Sequence, residues 1–318
     1  MSQIKEIIRR FKPVYVANNV FNYAKLSDAK KLYKQYGLKK SVVANIDSTS
    51  FKGLVGEIPW LDRYASSEVL QEHDVYKSLS SAHQNALSGW SNNGYAVLES
   101  FFDSSTVDGI NQEIDKMIND SSIQFRYDHS SRLMNAIKAN PKLEKSVCSE
   151  QLESVLAMLL GKDITCFQSI NFLKGSQQKA HSDSIHMTTF PLGYLVAGWI
   201  ALEDVSEDQG PLFVYPGSHQ LEYVLNEDFN PGSNYFFLGK GAYRKYESAM
   251  QKVIEANRFK KKSLLVKKGD LVIWHANLIH GGSLVKNSDS TRKSMVLHYL
   301  ADDVIKYHEI TQRPAILT

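Results

Sequence analysis

Two rhythms of apolar residues divide the chain at about residue 163. Before that point they recur at the spacing of one helix face; after it they fall into short runs separated by turn residues. In the first part, residues 27–36 read as a short helix stopped by Gly37. Residues 82–90 read as another, leading through Asn92-Asn93-Gly94 into a strand at 95–98. Asp103 and Ser104 can cap a helix with Val107, Ile110, Ile114, Met117 and Ile118 on its apolar side, because a side-chain oxygen there accepts from unpaired first-turn amides. A further helix follows Pro141, with Leu152, Val155, Leu156, Leu159 and Leu160 on one side and Gly161 as its terminator.

Past Asp163, residues 164–173, 195–202, 212–215, 264–266, 271–274 and 295–300 are expected to be strands. Many short strands without helices between them argue for an antiparallel barrel or a double-sheet jelly roll. The fold class expected is mainly β with flanking helices. Residues 220–262 interrupt the strands, and their aromatics, among them Tyr223, Phe229, Tyr235, Tyr243 and Tyr246, suggest either a lid over the barrel mouth or a satellite apolar cluster.

Composition narrows the class. With 318 residues, 43% of them apolar, and two cysteines, the chain is neither disordered nor fibrous nor a disulfide scaffold. Cys148 and Cys166 read as ordinary buried thiols of a reducing cytoplasm. No apolar run is long enough to span a bilayer, so a soluble or at most peripheral protein is expected. Lys and Arg number 37 against 34 Asp and Glu, yet the first forty residues hold ten basic residues and two acidic ones. Residues 1–81 read as a basic, partly helical extension, and 82–318 as the main domain. The basic head suggests contact with a membrane surface or another anionic partner, or else a solvated face. Nucleic acid is not expected, since no recognised nucleic-acid module accompanies it.

The chemistry lies in the β-rich part. His181-Ser-Asp183 puts an imidazole and a carboxylate on one face of a strand, where a third ligand from elsewhere could complete a metal site. His280 is the best third candidate: it ends an apolar run and is followed by Gly281-Gly282, where backbone can approach a ligand closely. Two imidazoles and one carboxylate on one side of an octahedral ion leave open positions, the arrangement expected of non-haem Fe(II) oxygenases. A chelating keto acid would take two of these and leave one for O2. Its far carboxylate would need a fixed cation, and Arg292, twelve residues beyond His280, offers a planar fork, with Ser294 two residues on as a further donor.

His181-Ser-Asp183, residues 196–204, the segment 208–219 and residues 269–292 together resemble the phytanoyl-CoA dioxygenase family of Fe(II)/2-oxoglutarate oxygenases. The resemblance covers roughly residues 82–299. It implies a double-stranded β-helix, or cupin-like jelly-roll, core and iron ligands His181, Asp183 and His280. It also implies that Arg292 and Ser294 hold 2-oxoglutarate, that Trp199 lines the co-substrate pocket, and that O2 is the oxidant. Halogenating relatives lack the carboxylate ligand, so Asp183 favours hydroxylation of an unactivated C–H bond in a small organic, lipid-like or sugar-containing substrate.

Gln168 lies on a strand leading to the site and is a candidate contact for 2-oxoglutarate or substrate. His186 is placed at the pocket mouth, while His275 and His219 are read as structural. Arg126, Arg132 and Lys174 are candidate contacts for an anionic group. Two other classes fit part of the pattern: a binding protein that keeps the fold without catalysis, and a zinc hydrolase using the same three ligands.

Overall fold

The structure is a computed structural model that describes residues 3–64, 67–123, 132–314 and 316. In chain order its strands begin with β1 (Tyr95–Leu98), β2 (Arg132–Met134), β3 (Ile164–Phe172), β4 (Thr188–Phe190), β5 (Leu195–Ala201) and β6 (Leu212–Val214). They continue with β7 (Lys262–Ser263), β8 (Leu271–His275), β9 (His280–Gly282), β10 (Ser294–Ala301), β11 (Ile305–His308) and β12 (Arg313–Pro314). A six-stranded sheet in the order β1-β8-β5-β10-β3-β2 faces a smaller one in the order β7-β6-β9, and β12-β11-β4 form a third. Every pairing is antiparallel. The facing sheets form a double-stranded β-helix.

The central strands are buried on both faces, which is why they read as unbroken apolar runs. On β10, Met295, Leu297 and Tyr299 join Leu152, Val155 and Leu156 of the helix Glu150–Leu160 in one core, while Val296 joins Trp199, Leu212 and Val214 between the sheets. Two caps follow the expected chemistry: Asp103 accepts from the Thr106 amide (2.8 Å), and Gly161 ends its helix at φ 68°. The single helix expected after Pro141 is instead two, Pro141–Val147 and Glu150–Leu160, because Ser149 starts the second by accepting from the Leu152 amide (3.2 Å). Residues 264–266 are not a regular strand. The Leu264 amide still donates to the Leu212 carbonyl (2.8 Å), but the ladder at this edge is the two residues of β7.

The N-terminal segment is strapped onto the barrel rather than standing apart. Leu26, Tyr33, Val42, Ile46 and Phe51 share a core with Ile305 and Tyr307 of β11, and the Phe51 ring stacks on Phe190 at 4.6 Å. The Ile46 amide donates to the Gln312 carbonyl (2.8 Å), and the Ser48 amide and hydroxyl donate to Glu309 (2.9 and 2.7 Å). Within residues 220–262, the helix Ala242–Asn257 buries Tyr246, Met250 and Ile254 against Ile185 and Ile279, a satellite core beside the site. No helix among the described residues is long and apolar enough to cross a membrane.

If the segment up to Phe51 is part of the folding unit, Phe51→Ala should destabilise the whole protein by about 3–4 kcal/mol, the cost of an aromatic cavity. Denaturant unfolding followed by intrinsic fluorescence checks this: an unchanged midpoint would mean that the segment contributes nothing to the barrel.

Candidate metal centre

His181 and His280 meet across a single antiparallel bridge. The His181 amide donates to the His280 carbonyl (3.0 Å) and the His280 amide to the His181 carbonyl (2.9 Å), which leaves the two rings 4.5 Å apart. Ser182 is extended and carries Asp183 to the same side, where a short 3-10 turn (Asp183–Ile185) begins. The regular strand expected here is thus one bridge and a turn, yet the alternation that pairs residues 181 and 183 survives. Tyr246 Oη accepts from the Ser182 amide at 2.8 Å and fixes the segment from outside.

One ligand atom from each of His181, Asp183 and His280 lies within 4.8 Å of the others, and all three residues are buried. Asp183 Oδ1 is 3.7 Å from Nε2 of either histidine. His181 Nδ1 lies 2.8 Å from the Lys179 carbonyl and His280 Nδ1 lies 2.9 Å from the Leu278 carbonyl. A carbonyl only accepts, so each Nδ1 carries the proton and each Nε2 lone pair is turned to the shared centre. The other carboxylate oxygen is engaged: Trp274 Nε1 donates to Asp183 Oδ2 at 2.8 Å, and His298 Nε2 stands 3.6 Å from it.

Burial and then the neighbouring His280 push His181 down to about 3. Burial alone would raise the Asp183 carboxyl, but His280, His298 and His181 outweigh it and hold it well below the usual carboxylate range. A neutral imidazole and an ionised carboxylate are the ligating forms. The donor set, its tautomers and its single free face fit a divalent ion of oxygenase type.

That face opens into a cavity of about 390 Å3. Arg292, Val296 and His298 line it from the β10 side, Gln168 and Phe172 from β3, and Trp199 from β5. Arg292 is 3% exposed and makes no ion pair among the described residues. Its Nη1 donates to Ser294 Oγ (3.2 Å) and its Nη2 to the Lys174 carbonyl (3.4 Å), and the guanidinium lies over the Trp199 ring at 5.4 Å. Desolvation lowers its pKa to about 10, so it stays charged at neutral pH. A buried cation with no ion pair among the described residues, and only the longer-range pull of Glu203, is the kind of group that an anion in the cavity could pair.

Gln168, Arg132 and His186 also line this cavity, and His186 stacks on Tyr243 at 5.1 Å. Lys174 instead turns to the surface, where its Nζ donates to the Ser288 carbonyl (2.7 Å). Arg126 lies outside the described residues. His275 faces Asp62 (3.1 Å) on the opposite side of β8 from Trp274, and buried His219 meets the Ser91 carbonyl (3.2 Å). Both cysteines are free and half-buried. Three neighbours were missed from the sequence: Trp274, His298 and Gln178, whose Nε2 is 3.0 Å from His181 Nε2. For His298 a signal existed, because residues 292, 294, 296 and 298 share strand parity.

The model of the phytanoyl-CoA dioxygenase family matches residues 90–294. The chain belongs to that family. Human peroxisomal phytanoyl-CoA dioxygenase is 29% identical over 132 residues, 41% of this chain and 35% of that protein. Mouse phytanoyl-CoA dioxygenase domain-containing protein 1 is 26% identical over 180 residues, 54% of this chain and 57% of that protein. The chain thus spans between about a third and somewhat over half of these relatives' lengths. Among solved structures, the α-ketoglutarate-dependent carbocyclase SnoK from nogalamycin biosynthesis superposes with a TM-score of 0.59 at 17% identity, over 76% of this chain and 89% of that one. EctD from S. alaskensis with bound 2-oxoglutarate and 5-hydroxyectoine gives 0.52 at 18% identity, over 75% and 86%. At these identities the likeness is one of fold.

In this phytanoyl-CoA dioxygenase family member, Trp274→Phe removes the hydrogen bond that orients Asp183 while keeping the packing. It should weaken Fe(II) binding about 10- to 100-fold, measured by anaerobic metal titration, with unfolding midpoints confirming that the variant is folded.

Proposed function

We propose that the chain is an Fe(II)- and 2-oxoglutarate-dependent dioxygenase that hydroxylates an unactivated C–H bond of a small organic substrate. What carries the reading is one cavity with two occupants' worth of recognition: three convergent metal-ligand atoms at one place and a buried, unpaired Arg292 at another. The balance is substrate C–H, O2 and 2-oxoglutarate giving C–OH, succinate and CO2. Bound Fe(II) would supply the site at which O2 and the keto acid meet, and the chain's own residues would do the rest. His181, Asp183 and His280 would hold the ion. Arg292, with Ser294, would grip the distal carboxylate of 2-oxoglutarate, while Trp199 and Phe172 keep water from that ion pair. Gln168 sits where it could donate to co-substrate or substrate. A hydrolytic zinc site would leave Arg292 and Ser294 without a role.

Anaerobic addition of Fe(II) and 2-oxoglutarate should produce a visible charge-transfer band. Asp183→Ala and His280→Ala should abolish it together with succinate release. Arg292→Leu should keep metal binding but weaken 2-oxoglutarate by about 100-fold, as expected for losing a buried charged hydrogen-bonding partner. Folded protein that gives no band would sink the proposal.

A cytoplasmic setting agrees with two free thiols. Peripheral contact through residues 1–40 has support in exposed Ile7, Ile8 and Phe21 beside the basic residues of that segment. Sedimentation with phosphatidylserine-containing vesicles should fall when Lys30, Lys31 and Lys34 are changed to Glu, and unchanged partitioning would leave the segment a solvated face.

A further inference from the structure

A second cavity, of about 480 Å3, adjoins the metal pocket. Gln168, His186, Met187, His308 and Arg313 wall both, and the His186 and His308 rings stand 5.6 Å apart between them. Its far side comes from parts of the chain that the family match does not reach. Asn18, Asn19 and Asn22 come from the helix Lys12–Phe21 and its end, and Lys306 and Pro314 from strands beyond residue 294.

The charge of this cavity is one-sided. Lys306 and Arg313 line it, and no carboxylate among the described residues does. The Lys306 side chain is only 10% exposed, and its ion-pair partner, Asp302, is 3.9 Å away and half in solvent. Burial lowers the Lys306 pKa against the raising pull of Asp302, Asp303 and Asp28, as expected of a cation short of close compensation. Arg313 makes no ion pair among the described residues and lies over the Tyr15 ring at 5.6 Å. A long alkyl chain placed here would meet Phe167, Met187, Leu300 and Ile316 but would leave the cations and amides stripped of water and unpaired, whereas a short anion would pair the cations and rest its carbon end on those apolar side chains.

Resting on the oxygenase reading, the geometry points to a small organic anion as substrate. Its carboxylate or phosphate would sit between Lys306 and Arg313 in the second cavity, with a C–H bond of its other end facing His181, Asp183 and His280. The N-terminal helix thereby becomes a wall of the substrate site, and Asn18 and Asn22 its uncharged hydrogen-bonding surface.

The test uses the full chain, loaded anaerobically with Fe(II) and saturating 2-oxoglutarate. Failure of the visible band at this stage overturns the oxygenase reading itself. With the band present, calorimetric titrations compare butyrate and inorganic phosphate with 1-butanol, a neutral molecule of butyrate's length. At least one anion should bind, butanol should not, and Lys306→Gln/Arg313→Gln should weaken the anion tenfold or more while leaving the band and 2-oxoglutarate affinity unchanged. Lys306→Arg should retain binding. Preference for butyrate over phosphate assigns a carboxylate substrate, and the reverse a phosphate ester. The inference is overturned if neither anion binds, if butanol binds as well, if the double variant binds the anion like wild type, or if the anion bleaches the band by displacing 2-oxoglutarate from Arg292.

Discussion

Two main-chain hydrogen bonds between His181 and His280 set the spacing on which the candidate centre depends. They join segments about a hundred residues apart in sequence, and backbone bonds fix separation more tightly than side-chain packing can. Once that bridge exists, the alternation of extended chain turns Asp183 to the same side, and the two carbonyls at Lys179 and Leu278 choose the tautomer of each ring. The rest of the barrel serves this arrangement. Tyr246, on a helix outside the sheets, anchors Ser182, and Trp274, from the large sheet, ties down the carboxylate oxygen that does not face the centre. A metal ion in such a site would meet ligands already oriented and so lose little to reorganisation.

The second constraint is electrostatic. Placing Arg292 in the core without a carboxylate costs stability, and the fold offsets only part of it, through Ser294, one carbonyl and the faces of Phe172 and Trp199. The unpaired remainder is what, in the proposed reading, would favour an anion in the cavity. The same logic recurs in the adjoining cavity, where no carboxylate among the described residues lines the wall beside Lys306 and Arg313. Two anion-seeking ends then flank one candidate metal centre, an arrangement suited to holding a keto acid and a second anion in a defined relative orientation.

Legibility in the sequence followed the length of the signal. The long strands β3, β5, β8 and β10, the helix after Asp103 and the apolar side of the helix ending at Gly161 were readable because five or more residues repeat one period or one apolar character, whereas the break at Ser149 was not. Of the short strands, β1 and β6 were readable from the turn residues beside them, whereas β2, β4, β9, β11 and β12 were not, since two to four residues carry no period of their own and owe their form to partners distant in sequence. The candidate ligands and Arg292 stood out because a metal site and a keto acid call for those residue types and because their order and spacing resemble the family's motifs. Trp274 and Gln178 did not, because an indole donor or an amide becomes meaningful only when a carboxylate or imidazole is found beside it. His298 falls between, visible by parity with Arg292 yet without a motif to name it.

The N-terminal segment shows why charge alone misled. Ten basic residues among the first forty dilute the apolar positions, so Leu26, Tyr33, Val42 and Ile46 form no recognisable stripe. In three dimensions those few residues are enough, because β11 presents Ile305 and Tyr307 to them and Glu309 accepts the Ser48 amide and hydroxyl. Packing therefore decides where the segment lies, and charge decides only what the packed segment faces. Its outer side remains basic, while its inner side, at Asn18, Asn19 and Asn22, is uncharged and borders the cationic cavity. A basic helix buried face-first over Lys306 would have compounded the repulsion there; asparagines at these positions let the strap close over a cationic chamber.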